Sequence, residues 1–123
     1  MSERASHGVA KTIYKIFRID EWLSAEREGR FLGSPDDIRD GFIHFSTAEQ
    51  LRGTLEKYFA AESEIVLAAI DVGALGNDLK WEISRGGMRF PHLYASLPLD
   101  AVTEVTRHAR ASSGEFHLPP EIS

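Results

Sequence analysis

The sequence predicts a single domain of mixed α+β structure, and three observations lead to this fold class. Five or six segments have strand character, whereas helical spacing appears twice, both times in the N-terminal half. These segments lack the regular alternation of strand and helix that builds a doubly wound sheet. A length of 123 residues suits one hydrophobic core and is too short for two cores of ordinary size. We therefore expect a flexible N-terminus at residues 1–11, one domain at 12–118 and a short tail at 119–123.

The first elements follow from residue type. Residues 12–18 are rich in β-branched and aromatic side chains and predict the first strand. Asp20 is an N-cap candidate for a short helix that ends at Gly29. Residues 29–41 then form a connector that is longer than usual, and such loops often border functional sites.

The later segments carry sequence patterns of different strength. Residues 47–61 carry apolar side chains at helical spacing and predict the most secure helix. The unbroken apolar run at 64–72 predicts a central strand that is covered on both faces. Residues 78–84 and 101–110 have strand character, and so do residues 88–97, where Pro91 favours an edge position.

The stretch at residues 40–49 is the centre of the predicted chemistry. With the two-residue period of a strand, Phe42, His44 and Ser46 share one face. Ser46 and Glu49 have the spacing of a capping box at the start of the following helix. An imidazole thus precedes a helix N-terminus, which is a favourable place for an anion.

Composition excludes several classes of function. The net charge of −5 and the lack of a basic run argue against binding to DNA or RNA backbones. There is no cysteine, so a disulfide framework and a thiol nucleophile are excluded. No signal peptide or membrane-spanning run is evident, so we expect a cytoplasmic protein without a membrane partner. The composition does not argue against a small-molecule ligand, and the sequence does not indicate an oligomeric state.

Polar residues in predicted strands are the candidates for chemistry. His44, Glu82 and His92 lie within predicted strands, and Arg85 and Arg89 flank the turn between the last two. Each also has a structural interpretation, as a hydrogen-bonded strand residue or a solvated charge. If the strands adjoin, the set lines one cleft. The candidates are His44 and Glu82 as catalytic residues and, for ligand binding, Phe42, Ser46, Arg85, Arg89, His92 and Tyr94.

These side chains suit a nucleotide. A carboxylate such as Glu82 orients a hydroxyl or stabilises an oxocarbenium ion in glycosidic chemistry. Arginine pairs well with phosphate, and aromatic rings such as Phe42, Trp81 and Tyr94 stack on a flat ring. A second reading makes His44, His92 and Glu82 a metal-binding facial triad, although no His-x-His or His-Glu-x-x-His spacing supports it. A Rossmann fingerprint, a Walker A sequence and a serine-hydrolase elbow are absent.

Four short segments together resemble the DUF952 family of small bacterial proteins. They are Ile-Tyr-Lys-Ile at 13–16, Asp-Gly-Phe-Ile-His-Phe-Ser-Thr at 40–47, Leu-Lys-Trp-Glu at 79–82 and Phe-Pro-His-Leu-Tyr at 90–94. The resemblance implies an ADP-ribosyltransferase-like fold, a split antiparallel β-sheet around a cleft that holds NAD in active relatives.

The same resemblance gives expectations for individual residues. His44 would contact the nicotinamide ribose, and Glu82 would be the catalytic carboxylate of an ADP-ribosyl or related glycosidic transfer, with NAD as substrate. The strand around His44 is also similar to the His-Val-His-Leu-Ser strand of RNA 2′-phosphotransferases, but Phe42 replaces one of their two histidines. The protein is then an enzyme of this type, or a relic of one. The alternative is a non-enzymatic module that binds a small ligand or another protein.

Overall fold

The computed structural model describes residues 11–119. The N-terminal residues 1–10, expected to be flexible, and residues 120–123 of the expected tail lie outside this range. Three α-helices occur in the described part, and they are α1 (Ile19–Glu28), α2 (Pro35–Asp40) and α3 (Leu51–Tyr58). The strands are β1 (Thr12–Phe17), β2 (Arg30–Phe31), β3 (Ile43–His44), β4 (Glu64–Asp71), β5 (Leu79–Ile83), β6 (Arg89–Leu93), β7 (Leu97–Pro98) and β8 (Val102–Ala109).

Two antiparallel three-stranded sheets organise the described chain. One has the strand order β1-β4-β8 and the other has the order β3-β6-β5, while β2 and β7 form a short separate pair. The expected mixed α+β class with antiparallel strands is therefore confirmed. No helix within residues 11–119 has the length and apolar character needed to cross a membrane.

The two sheets meet where Tyr14 of β1 pairs with Ser46. The backbone N–H of Tyr14 donates to the Ser46 carbonyl at 2.8 Å, and the N–H of Ser46 donates back to the Tyr14 carbonyl at 2.9 Å. This pair fixes the segment that carries His44 against β1. Side chains from both sheets consequently reach one region of the surface.

Both faces of β4 are buried, as its apolar sequence predicts. Val66, Ala68 and Ile70 belong to one core cluster, and Ile65 and Leu67 belong to a second. The second cluster also includes apolar residues from α3 and the C-terminal segment, Leu51, Leu55, Phe116 and Leu118. The C-terminal segment therefore contributes to the core although it has no regular secondary structure.

The predicted connector at 29–41 is wrong, because it contains a strand and a helix. Ser34 is the N-cap of α2, and its hydroxyl accepts from the N–H of Asp37 at 3.2 Å. The Asp37 carboxylate accepts in return from the N–H of Ser34 at 2.9 Å. Pro35 occupies the first helical turn, and Gly41 ends the helix at φ 89°. From residue 11 to the middle of the chain there are thus three α-helices rather than the two helices expected.

Two predicted helix starts also differ from the structure. The N-cap of α1 is Arg18 rather than Asp20, and Glu21 accepts from the Arg18 N–H at 2.9 Å. The helical segment before α3 begins after Thr47, whose N–H donates to the Gln50 side chain at 3.0 Å. The predicted pair of Ser46 and Glu49 does not form. Both observed N-caps lie within two residues of the predicted ones. In each case the backbone N–H of the N-cap residue donates to the side chain three residues later.

Strand β6 is central in its sheet, so the expected edge position of Pro91 is wrong. Pro91 pairs with Trp81 of β5, and its carbonyl accepts from the N–H of Phe45 at 3.0 Å. The ladder on the β3 side is only two residues long, so the missing proline N–H interrupts little. Strands β3 and β5 are the edge strands of this sheet, and Ile83 at the end of β5 is 66% exposed.

Candidate functional site

An open cleft of about 110 Å³ lies where the two sheets meet. This volume is comparable to the ~150 Å³ of an engineered cavity that holds one benzene ring. The enclosed part of the cleft therefore takes a single ring-sized group, and a larger ligand would extend through its open mouth. Its polar lining includes Lys15, Asp37, Asp40, His44, Ser46, Thr54, Arg85 and His92.

His44 is held between two carboxylates. Its Nδ1 lies 2.6 Å from Oδ1 of Asp37, and its Nε2 lies 2.9 Å from Oδ2 of Asp40. A carboxylate only accepts hydrogen bonds, so each carboxylate is an acceptor for the ring nitrogen that it contacts. In this arrangement neither ring nitrogen of His44 is free for a ligand.

Asp37 is the buried anchor of this arrangement. Its carboxylate accepts from the ammonium of Lys15 at 3.0 Å and from the backbone N–H groups of Ser34 and His44 at 2.9 and 3.1 Å. Burial is the largest single influence on its pKa and raises it, but the hydrogen bonds from His44, Ser34 and Lys15 and the Lys15 charge together outweigh burial. The net effect holds the pKa of Asp37 well below its usual range. Asp37 is therefore a stable anion inside the protein.

Asp40 closes the other side of His44 from a more exposed position. The guanidinium of Arg39 donates to the Asp40 carboxylate at 3.0 Å. This hydrogen bond is the main reason that the pKa of Asp40 is lowered. The Asp40 side chain is one-third exposed, whereas the Asp37 side chain on the other side of His44 is buried.

His92 forms a second pair of imidazole and carboxylate. Its Nδ1 lies 2.8 Å from Oε1 of Glu82, and the Tyr94 hydroxyl donates to the same oxygen at 2.8 Å. The bonds from His92 and Tyr94 lower the pKa of Glu82, so the carboxylate is ionised and His92 donates from Nδ1. Burial lowers the pKa of His92 more than Glu82 raises it, so the ring is neutral at pH 7. Its Nε2 is then a free acceptor, and no partner for it lies among residues 11–119.

Phe42 fixes the two imidazoles relative to each other. Its ring stacks on His92 with 4.1 Å between centroids and lies 4.6 Å from the ring of His44. The two imidazoles themselves are 5.5 Å apart between centroids. Strands β3 and β6 produce this geometry because His44 and His92 are direct partners in the ladder.

Comparison with protein families identifies the chain. A model described as "Protein of unknown function (DUF952)" matches residues 16–105. The chain belongs to the DUF952 family.

Two solved structures of one relative share the fold of this DUF952 protein. A crystal structure of protein CC0527 from Caulobacter crescentus is 45% identical, with a TM-score of 0.82, and the match covers 86% of this chain and 93% of that one. A solution NMR structure of CC0527 is 46% identical, with a TM-score of 0.75, over 85% and 90% of the two chains. The comparison with curated proteins found no match.

The fold of the DUF952 protein divides the sequence-predicted residues between two locations. His44, Ser46, Arg85 and His92 line the cleft. Glu82, Phe42 and Tyr94 contact His92 or each other but are not among the lining residues. The structure therefore places Glu82 beside His92 and outside the lining of the cleft.

Arg89 lies apart from the cleft. It is exposed, and its guanidinium donates to the carbonyl of Trp81 at 3.3 Å. Arg85, only four residues earlier, points into the cleft because residues 84–88 turn back on themselves, with the Ser84 N–H donating to the Met88 carbonyl at 2.8 Å.

His44, His92 and Glu82 do not form the metal-binding triad considered from the sequence. Within residues 11–119, no group of three histidine, aspartate or glutamate side chains has an arrangement that would hold a metal ion. Glu82 reaches Nδ1 of His92, and the carboxylates at His44 come from α2 instead.

Sequence reasoning missed Asp37, Asp40 and Thr54. The two aspartates belong to the segment predicted to be a connector, and the Ser34-Pro35 start of α2 was the signal that would have placed them on a helix beside His44. Thr54 faces the cleft from α3, where its hydroxyl lies 2.9 Å from that of Ser46. No sequence motif marks this pair, because the two residues belong to different elements.

Proposed function

We propose that this DUF952 protein binds a nucleotide-like ligand of the NAD class in the cleft and transfers the ribosyl group of that ligand. The observation that carries the proposal is the state of His92. Its imidazole is 4% exposed, lines the cleft, contacts Glu82 through Nδ1 and has its Nε2 unpaired among the described residues. A buried acceptor of this kind is what a bound hydroxyl or amide satisfies.

The arrangement of the sheets supports the same ligand class. Two antiparallel three-stranded sheets that join at Tyr14 and Ser46 agree with the split sheet implied by the resemblance to ADP-ribosyltransferases. This support is an analogy of fold, and a shared fold does not fix a function. The chemistry therefore depends on the cleft residues.

The reaction has one role for His92. An acceptor hydroxyl attacks C1′ of the nicotinamide ribose while the glycosidic bond to the nicotinamide nitrogen breaks. Nicotinamide leaves as a neutral molecule with the bonding electrons, and the hydroxyl proton passes to Nε2 of His92. Glu82 is a positioning residue in this scheme, because it holds Nδ1 protonated and stabilises the imidazolium that forms.

Isothermal titration of the wild-type protein with NAD and ADP-ribose tests binding. We expect heat with both ligands and at least a tenfold loss of affinity in His92→Phe, which keeps a planar ring and removes the acceptor. Absence of heat for either ligand at millimolar concentration would overturn the proposal.

A second function, ligand binding without reaction, is favoured by the geometry of His44. Both of its nitrogens contact carboxylates, so it offers no free atom to a substrate in this arrangement. Release of free nicotinamide from NAD distinguishes the two functions. Turnover by the wild type that is lost in His92→Phe supports an enzyme, whereas binding without release supports a binding module.

A further inference from the structure

Four cationic side chains line the cleft, and one of them has no carboxylate partner. Lys15 pairs with Asp37, Arg18 pairs with Glu62, and Arg39 pairs with Asp40. Arg85 makes no ion pair with any residue in the described range 11–119. An arginine that faces a cleft without an anion is prepared to bind one from outside.

The surroundings of Arg85 form a built site. Its guanidinium lies 4.8 Å from the ring centroid of Phe90, which supports it from one side. Its Nη2 lies 3.3 Å from the hydroxyl of Thr54, and that hydroxyl is 2.9 Å from the hydroxyl of Ser46, which is 3% exposed. The Thr54 hydroxyl donates to the Gln50 carbonyl at 3.1 Å, so the Ser46 hydroxyl donates to Thr54. These bonds hold the Thr54 oxygen in place as an acceptor for Arg85.

Gly53 makes room for this arrangement. It lies inside α3, where glycine is a poor helix former, and a Cβ atom built on it would lie 3.1 Å from Nη2 of Arg85. Any other residue at this position would bring a Cβ atom into close contact with the guanidinium. The glycine thus lets the arginine lie directly against the helix.

We propose that the guanidinium of Arg85, held in place by Thr54 and Phe90, binds a phosphate group of the ligand. This inference rests on the proposed function for the identity of the rest of the ligand. The planar guanidinium presents paired N–H donors that match phosphate oxygens. Because Lys15, Arg18 and Arg39 already pair with carboxylates, Arg85 is the cleft arginine that is available to the phosphate.

The strand spacing defines the ligand further. Phe90, under Arg85, and His92 lie two residues apart on the same face of β6, a separation of about 7 Å. One pentose with its 5′-phosphate spans a distance of this order. The ligand class is therefore a nucleoside 5′-phosphate, with the phosphate at Arg85 and the anomeric carbon near His92.

The test compares nicotinamide mononucleotide with nicotinamide riboside, which differ only by the phosphate. We expect the mononucleotide to bind at least about tenfold more tightly, and Arg85→Gln to remove that advantage without changing the affinity for the riboside. Gly53→Ala keeps the charge but displaces the guanidinium, so we expect it to weaken the mononucleotide alone while the melting temperature rises. The matched control is Arg27→Gln, which removes a charge from the exposed end of α1 and should change neither affinity.

Three other results would change the conclusions. Equal affinities for both ligands, unaffected by Arg85→Gln, would overturn the phosphate site and leave the cleft as the nucleoside site. Inorganic phosphate that shifts the amide resonances of Ser46 and Thr54 in the wild type but not in Arg85→Gln, without binding of either nucleoside compound, would support the phosphate site and overturn the proposed function. No response to any of the three compounds would overturn both.

Discussion

Nδ1 of His92 lies 2.8 Å from Oε1 of Glu82, and this contact decides which histidine of the cleft is available for chemistry. The Glu82 carboxylate accepts from Nδ1 of His92, and Nε2 of the same ring is left as an acceptor. His44, its neighbour across the ladder, has carboxylates at both nitrogens instead. Two similar imidazoles are thus given different roles by the position of their carboxylates.

We expect Glu82→Gln to lower the pKa of His92. The hydrogen bond and charge of Glu82 raise that pKa against the effect of burial, and glutamine removes the charge. The titration midpoint of the His92 ring protons in NMR should move to lower pH by up to about 1 pH unit. Glu26→Gln, on the exposed side of α1, should leave it unchanged, and an unchanged midpoint in Glu82→Gln would show that Glu82 does not control this ring.

We expect Asp37→Asn to lower the free energy of unfolding by about 3 kcal/mol, because it leaves the buried ammonium of Lys15 without its counter-charge. Urea denaturation measures the change. The control is Asp36→Asn on the exposed face of the same helix, which should cost less than about 0.5 kcal/mol. Equal costs for the two variants would contradict the anchoring role of Asp37.

Acid should destabilise the wild type through Asp37. The pKa of this carboxyl is lower in the folded state than its ordinary value of 3.8. Its stabilising contribution is therefore complete above that value and is lost as the pH falls towards the folded pKa. Below pH 3.8 the free energy of unfolding should fall more steeply in the wild type than in Asp37→Asn, and parallel curves for the two proteins would refute this explanation.

His92 should add a second pH dependence at higher pH. Burial makes its folded pKa lower than the ordinary 6.5, so the unfolded state binds the proton first as the pH falls. The stability of the wild type should begin to decrease below pH 6.5. His92→Phe lacks the titrating group, so its stability should be flatter between pH 6.5 and 5 than that of the wild type, and an unaltered slope would count against a buried neutral ring.

Removal of Asp40 should expose His44. Diethyl pyrocarbonate modifies an unprotonated, accessible imidazole nitrogen, and the Asp40 carboxylate covers Nε2 at 2.9 Å. We expect Asp40→Ala to raise the rate of His44 modification several-fold, as followed by mass spectrometry. Asp36→Ala removes an aspartate that contacts Arg39 rather than His44, so it is the matched control. The same rate in both variants would mean that Asp40 does not protect the ring.

Local sequence patterns predicted most of the fold and about half of the site. The apolar run was sufficient to predict β4, which is buried on both faces, and the helical spacing was sufficient to predict α3, which is buried on one face. The burial of each element follows from its own sequence. Strand period also placed His44 and Ser46 on a common face that reaches the cleft. The carboxylates of α2 were missed, since a six-residue helix offers too short a window for periodicity and is defined by its cap.

The position of Glu82 could not be predicted from the sequence. Glu82 lies on the face of β5 opposite Trp81 and Ile83, but the order of the strands decides what that face meets. Because β6 lies between β3 and β5, Glu82 reaches His92 and does not reach the cleft. Pro91 led to a wrong prediction of the strand order. Proline favours an edge strand, but Pro91 lies in the central strand β6, next to the end of the short ladder with β3.

The most direct test of the central claim is nitrogen NMR of the imidazole rings during titration with NAD. The account predicts that the Nε2 resonance of His92 shifts to saturation, while its Nδ1 resonance keeps the position of a protonated nitrogen bonded to Glu82. His92 resonances that stay unchanged up to millimolar NAD would contradict the claim that this nitrogen meets the ligand.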